Sequence, residues 1–344
     1  MECFSLLRAD VPALIDHLGK FGEVVAPHGK GDVSYSFEVV QNSKDVVLDY
    51  NRTLLPLKKQ FLPPIEKLMD FSLKDLSFKP IELEIKPKVF FAIHSYEMQS
   101  ILRLDHSMLS GHVESNYLTR RKNSRFVGIS FTPDDFHFSE SVGIGIQEME
   151  GFDLFLSELD DDFQLFVLTE NGRSLIQSFK SMKTAEVEVE VKHEFKKKIR
   201  YHYNRLPKIF QYAYHSDVWA NVAERCVGCG ACTLTCPTCF CFDVSDEVGV
   251  TAEDGLRQRS WDSCMLSTFA EVAGGENFRE KTINRTRHRL FRKFKYITDE
   301  EGLPWCVGCG RCTAFCPAGI SLPDIVNELI QEDEKAQYHK TIRV

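Results

Sequence analysis

Two cysteine runs have spacings that specify a chemistry. Cys226-x2-Cys229-x2-Cys232-x3-Cys236-Pro237 and Cys306-x2-Cys309-x2-Cys312-x3-Cys316-Pro317 are two full copies of one pattern, and the residues between the cysteines repeat as well, CVGCGACTLTCP against CVGCGRCTAFCP. Three thiolates on a tight loop can grip three irons of one 4Fe-4S cubane, and the fourth, just beyond the loop, reaches the other cubane. On this rule one cluster takes Cys226, Cys229, Cys232 and Cys316, and the other takes Cys306, Cys309, Cys312 and Cys236. Gly228, Gly230, Gly308 and Gly310 let the backbone fold closely around sulfide, and Pro237 and Pro317 suit the first turn of a following helix. A pair of structural zinc sites is the competing assignment, but zinc uses separate CxxC pairs rather than two unbroken four-cysteine runs.

Eleven of the twelve cysteines fall between Cys226 and Cys316, and only Cys3 lies outside. Dense CxxC spacing in a reducing compartment reads as metal ligation rather than disulfide bonding. Three of the eleven, Cys239, Cys241 and Cys264, belong to neither run. They can hold a third centre with a fourth ligand that is not cysteine, for which His202, His215 and His288 are the candidates, or they are small buried thiols beside the clusters. Two neighbouring cubanes with complete ligand sets suit one-electron relay, since neither has an iron open to substrate. From Arg279 to Lys295 eight Lys or Arg residues and His288 face a single acid, Glu280. Such a stretch offsets the negative charge of thiolate-bound clusters, presents a cationic docking face, or is simply a solvated helix face.

The elements that position these residues are less explicit. A chain of 344 residues with 43% apolar content has room for two domains with real cores. Val89-Phe90-Phe91-Ala92-Ile93, Phe126–Phe131 and Gln164–Leu168 read as buried strands, with helical periodicity over Ala13–Phe21 and Tyr96–Leu104. Pro56–Pro64 reads as an extended loop crossing the surface. At Ala185–Arg200, AEVEVEVKHEFKKKIR, the composition turns to alternating charge and then to a basic run; its bland reading is a solvated face, its sharper one a docking site. The expected fold class is α+β: an N-terminal α/β domain over residues 1–195, then a mainly helical, ferredoxin-like two-cluster domain over 196–344. The two runs, about 70 residues apart, would meet as the ends of a helical insertion.

A net charge of -8 gives no general attraction to nucleic acid, and neither a long apolar run nor a signal-peptide pattern is present, so a cytoplasmic protein without membrane insertion is expected. Gly143-Ile144-Gly145 lacks the third glycine of a dinucleotide site, and no Walker, GxSxG or HExxH sequence occurs. His94 and His137 read as polar or core histidines, and Glu158-Leu159-Asp160-Asp161-Asp162 as a turn.

The segments CVGCGACTLTCPTCFCFDV, RSWDSCMLSTFAEVAGGENFR, RHRLFRKF and CVGCGRCTAFCPAGI resemble the beta subunit of cytosolic nickel-iron hydrogenases (sulfhydrogenases), a family that also includes one of the subunits of anaerobic sulfite reductase. The resemblance is strong over 201–320, including Trp261, Asp262 and Cys264, and extends to the N-terminal part through FFAIHSYEMQSILRLD and GFDLFLSEL. It implies an electron-transfer subunit, not itself catalytic, between a flavin-containing NAD(P)- or ferredoxin-linked subunit and a catalytic oxidoreductase subunit. Relatives often carry Arg-Pro-Cys-Asp where this chain has His94-Ser95-Tyr96-Glu97, and Cys-Phe-Cys near Phe136-His137-Phe138. If those cysteines hold a further cluster in relatives, this chain has lost it, and its N-terminal domain would serve for docking alone. The alternatives are a self-contained reductase with a substrate-accessible centre at Cys239, Cys241 and Cys264, and a scaffold in which the clusters are only structural.

Overall fold

The computed structural model describes residues 2–160, 162–187, 193–251 and 253–342. An eight-stranded sheet has the order β10-β1-β9-β8-β7-β6-β2-β3, from β1 (Glu2–Leu6), β2 (Glu23–Gly29), β3 (Tyr35–Val39), β6 (Lys88–Ile93), β7 (Ser124–Ile129), β8 (Leu154–Leu159), β9 (Asp162–Val167) and β10 (Lys183–Thr184). Pairings among β2, β6, β7 and β8 are parallel, and those at both flanks antiparallel. Successive side chains of a strand point to opposite faces, and the continuous apolar runs bury both. Val89, Phe91, Val127 and Leu154 pack on one side with Leu14 and Ile15 of the helix Val11–Leu18. Phe90, Phe126 and Phe155 pack on the other with Met98, Ile101 and Leu104 of the helix Ser95–Leu109. The expected strands and both expected helices are thus present.

A second, antiparallel sheet has the order β11-β12-β4-β5, from β4 (Ile65–Ser72), β5 (Ser77–Pro80), β11 (Phe242–Val248) and β12 (Asp254–Trp261). Two of its strands precede residue 195 and two follow it. The insertion between the cysteine runs is therefore not helical throughout: its first half is a hairpin that completes a sheet begun in the N-terminal part. Buried Glu66 on β4 joins the two by accepting from Arg259 Nε at 2.8 Å and Nη2 at 2.6 Å, and it also pairs with Arg120. The remaining C-terminal elements are helical, notably Val218–Arg225, Thr282–Phe291 and Leu322–Ile342.

Between the two parts lies a common core. Tyr96, Phe131 and Phe138 pack with Trp219, Phe291, Phe294 and Leu329 in one apolar cluster. In Ala185–Arg200, residues 188–192 lie outside the described residues. Of the rest, Phe195 and Ile199 are buried in that shared core, while Lys196, Lys197 and Arg200 pair with Asp135, Asp324 and Glu334.

The stretch Pro56–Pro64 departs from the surface loop expected of its Pro and Lys content. Leu57, Lys58 and Phe61 are buried, and Glu97 Oε2 accepts from Leu57 N–H at 3.0 Å. The acidic run is a turn between β8 and β9, with Glu158 paired to Arg8 and Asp161 outside the described residues.

Candidate iron-sulfur centres

The two cysteine runs fold alike. In each, glycines at positive φ, Gly228 and Gly230 or Gly308 and Gly310, reverse the chain before a four-residue helix, Ala231–Leu234 or Arg311–Ala314. These φ values, between 65° and 75°, suit glycine because a Cβ would clash there. The two short helices pack on each other, which brings the runs together.

Cys226, Cys229, Cys232 and Cys316 line one cavity together with Met265, Arg289 and Cys312. Cys306 and Cys309 each lie in the electrostatic reach of both Cys236 and Cys312. The sets are neighbours, since Cys312 also acts on Cys232. Among the described residues no three His, Cys, Asp or Glu side chains converge as a single metal ion requires. Burial pushes the thiols of Cys232 and Cys306 up to about 12 and that of Cys309 up to about 11. Without metal these three are neutral at pH 7, and ligation releases their protons.

The buried cations around the thiols are the signal that the cysteine spacing does not carry. Arg285, Arg289 and Lys293 follow one another at intervals of four, and all three are buried. They form the inward face of a helix that widens into a π turn over Arg292–Tyr296. Lys293 Nζ donates to Cys236 Sγ at 3.3 Å, to Thr238 Oγ1 at 3.0 Å and to the Trp305 carbonyl at 2.9 Å. Burial alone would lower its pKa, but the interaction with Cys236, then with Cys239, outweighs burial and holds it above the ordinary lysine value. Arg289 is raised in the same way, chiefly by Cys232. Charge compensation is therefore what the inward face of Arg279–Lys295 provides, while Arg287 lies outside over Tyr214.

The N-terminal part adds to this shell. Arg52 Nε donates to the Cys309 carbonyl at 3.2 Å. Lys58 Nζ donates to the Cys239 carbonyl at 2.5 Å and sits 4.1 Å from the Trp261 ring. Arg311 is fully buried, paired with Glu97 and donating from Nε and Nη2 to Thr53 O and Oγ1, both at 2.8 Å. Phe138 N–H donates to the Gly308 carbonyl at 2.9 Å, and a Cβ on Gly308 would run into the Ser139 backbone. Arg289 Nε and Arg311 Nη1 are buried without a hydrogen-bond partner. Orphaned cationic donors beside cysteines fit an anionic, thiolate-ligated cluster. Sequence reasoning missed Arg52 and Lys58, which carry no local pattern; the four-residue spacing of Arg285, Arg289 and Lys293 was the available signal for the helix.

The other singled-out residues fall as follows. Cys239, Cys241 and Cys264 share a pocket, but none of His202, His215 or His288 lines it, and His202 and His215 are exposed. His94 and His137 are fully buried among Tyr50, Tyr96 and Phe131. Gly143 ends a short 3-10 turn.

Among the described residues no helix is long and apolar enough to cross a membrane. The family of 4Fe-4S dicluster domains matches residues 225–320, the span of both runs. Sulfhydrogenase 2 subunit beta of Pyrococcus furiosus is 36% identical over 327 residues, covering 92% of this chain and 95% of that protein. No solved structure matches. The chain thus belongs to the sulfhydrogenase beta subunit family, an iron-sulfur protein whose dicluster domain binds two 4Fe-4S clusters and transfers electrons.

Proposed function

We propose that the chain is the electron relay of a cytoplasmic oxidoreductase complex, passing single electrons between a flavin-containing NAD(P)- or ferredoxin-linked subunit and a separate catalytic subunit of hydrogenase, sulfite reductase or similar type. The first cluster would be held by Cys226, Cys229, Cys232 and Cys316, the second by Cys306, Cys309, Cys312 and Cys236. Residues 1–195 would form the docking domain and 196–344 the two-cluster domain. When bound, each cubane supplies a one-electron store.

The observation that carries the reading is the contiguity of the two thiol sets, with a separate buried cation beside each. Arg289 lines the first cavity, and Lys293 donates to a cysteine of the second set. These two cations would offset the negative charge of the ligands. The crossed pairing is tested by serine variants of the anaerobically purified protein followed by EPR after dithionite reduction. Cys236→Ser is expected to alter the same signal as Cys306→Ser, and Cys316→Ser the same signal as Cys226→Ser. Zinc in place of iron, or clusters that exchange no electrons with the co-purified partner subunits, refutes the relay.

A second reading, a reductase with its own substrate-accessible centre, is favoured by one observation, the pocket shared by Cys239, Cys241 and Cys264. Turnover by the isolated chain is its test.

A further inference from the structure

The pocket lined by Cys239, Cys241 and Cys264 contains more than stray thiols. Cys239 and Cys241 flank Phe240 just after the first cysteine run, and Cys264 arrives from beyond β12. The segments are joined where the Cys241 carbonyl accepts from Asp262 N–H at 3.0 Å. The fold therefore brings the three cysteines into one pocket from opposite ends of a hairpin.

The surrounding charge is a second, independent observation. Arg289, Arg292 and Lys293 line the same pocket, and Lys58 reaches the Cys239 carbonyl from the other side. Among the described residues none of the four pairs with an Asp or Glu. Arg289 is 7% exposed and its Nε has no partner. Lys58, Arg289 and Lys293 are buried, and buried cations without a carboxylate partner are costly. Arg289 and Lys293 are shared with the two relay clusters, whereas Arg292, partly buried over the Phe240 ring, lines this pocket and not the cavity of the first cluster. An anionic occupant bound through the three sulfurs accounts for them.

We propose that Cys239, Cys241 and Cys264 hold a third 4Fe-4S cluster, adjoining the two relay clusters, with one iron left for an exogenous ligand. Three irons take the three thiolates, and each thiol proton passes to solvent as its Fe–S bond forms. Thr238, Phe240 and Trp305, which also line the pocket, supply neither a thiolate nor an imidazole, so the fourth iron would take a small anionic or thiol ligand from outside. Cys239 and Cys241 are partly exposed, which gives that ligand access. This inference goes beyond the two-cluster relay and rests on that reading only for the neighbouring charges.

The test is iron and acid-labile sulfide content of the full-length protein, purified and reconstituted without oxygen, with EPR of the reduced sample. The wild type is expected to hold about twelve irons and twelve sulfides per chain, and the Cys239→Ser/Cys241→Ser/Cys264→Ser variant about eight of each with the two relay signals intact. Cyanide, the probe for the open iron, should shift one signal in the wild type and none in the variant. About eight irons in both proteins, with no cyanide-sensitive signal, overturns the third cluster and leaves the relay standing. Four irons or fewer in the wild type, or zinc, overturns the relay reading as well. Should the triple variant fail to fold, Cys241→Ser alone decides: loss of the cyanide-sensitive signal with two signals kept supports the proposal, and its persistence overturns it.

Discussion

Replacing Lys293 with Met should lower the reduction potential of the cluster ligated by Cys236. Lys293 is 3% exposed, and its ammonium lies 3.3 Å from Cys236 Sγ, so the substitution deletes a buried unit charge while keeping the length of the side chain. At an effective dielectric near 20, two unit charges at that distance interact by about 5 kcal/mol. The added electron is spread over the cubane and four sulfurs, so roughly 2 kcal/mol of this distinguishes the reduced from the oxidised state. For a one-electron couple that is on the order of 90 mV, since 59 mV is a tenfold change. The direction follows from charge: the reduced cluster is the more negative and loses more when the cation goes. Thr238 Oγ1 still donates to the Trp305 carbonyl at 2.9 Å, so the loop keeps a tie. An EPR-monitored redox titration measures the shift, and Lys293→Arg serves as the charge-retaining control. If Lys293→Met holds its full iron content yet titrates within about 20 mV of wild type, or if the arginine variant shifts equally, the electrostatic account is wrong.

Gly308→Ala and Gly319→Ala separate backbone strain from packing. Both residues have φ near 60° to 65°, but a Cβ on Gly308 would strike the Ser139 backbone whereas one on Gly319 meets nothing within 4 Å. Gly319→Ala should cost only about 1–2 kcal/mol in urea unfolding, while Gly308→Ala should also lose about four irons per chain. Glu97→Gln leaves fully buried Arg311 without its carboxylate and should destabilise by roughly 3–5 kcal/mol, read from the urea midpoint; a loss below about 1 kcal/mol would mean that the cluster alone neutralises Arg311. His288 is held down to about 4 by burial, then by Arg279 and Arg292. Its unfolded form takes a proton near pH 6.5 while the folded form resists until pH 4, so its contribution is complete above pH 6.5 and is lost as pH falls toward 4. His288→Gln should flatten the wild-type stability profile across that window.

Local pattern made part of this protein legible. The eight cysteines are set by ligand spacing, and the strands around Val89–Ile93 and Phe126–Ile129 by apolar runs buried on both faces. Arg285, Arg289 and Lys293 were legible in principle, because a four-residue interval on a helix defines one face. The second sheet was not. Phe242–Val248 and Asp254–Trp261 are mostly polar, and what makes them strands is pairing with Ile65–Ser72, nearly two hundred residues earlier, through the Glu66–Arg259 pair. The same separation hid Lys58: a Pro- and Lys-containing stretch reads as exposed, and only the fold supplies the Cys239 carbonyl and the Trp261 ring that accept a buried ammonium.

These long-range contacts bear on what residues 1–195 do. Their proposed role in docking partners does not exhaust them, since Arg52 holds the Cys309 carbonyl, Glu97 balances Arg311, and the backbone around Phe138 and Ser139 closes over Gly308. The second cysteine run thus borrows part of its charge balance and part of its cover from the N-terminal part. The cavity of the first run is lined by Arg289, from its own side of the chain, and Cys229 within it is exposed. Cover and buried charge both tune cluster potentials. The two clusters therefore sit in unlike environments although their loops are near copies, and that asymmetry is written outside the cysteine runs.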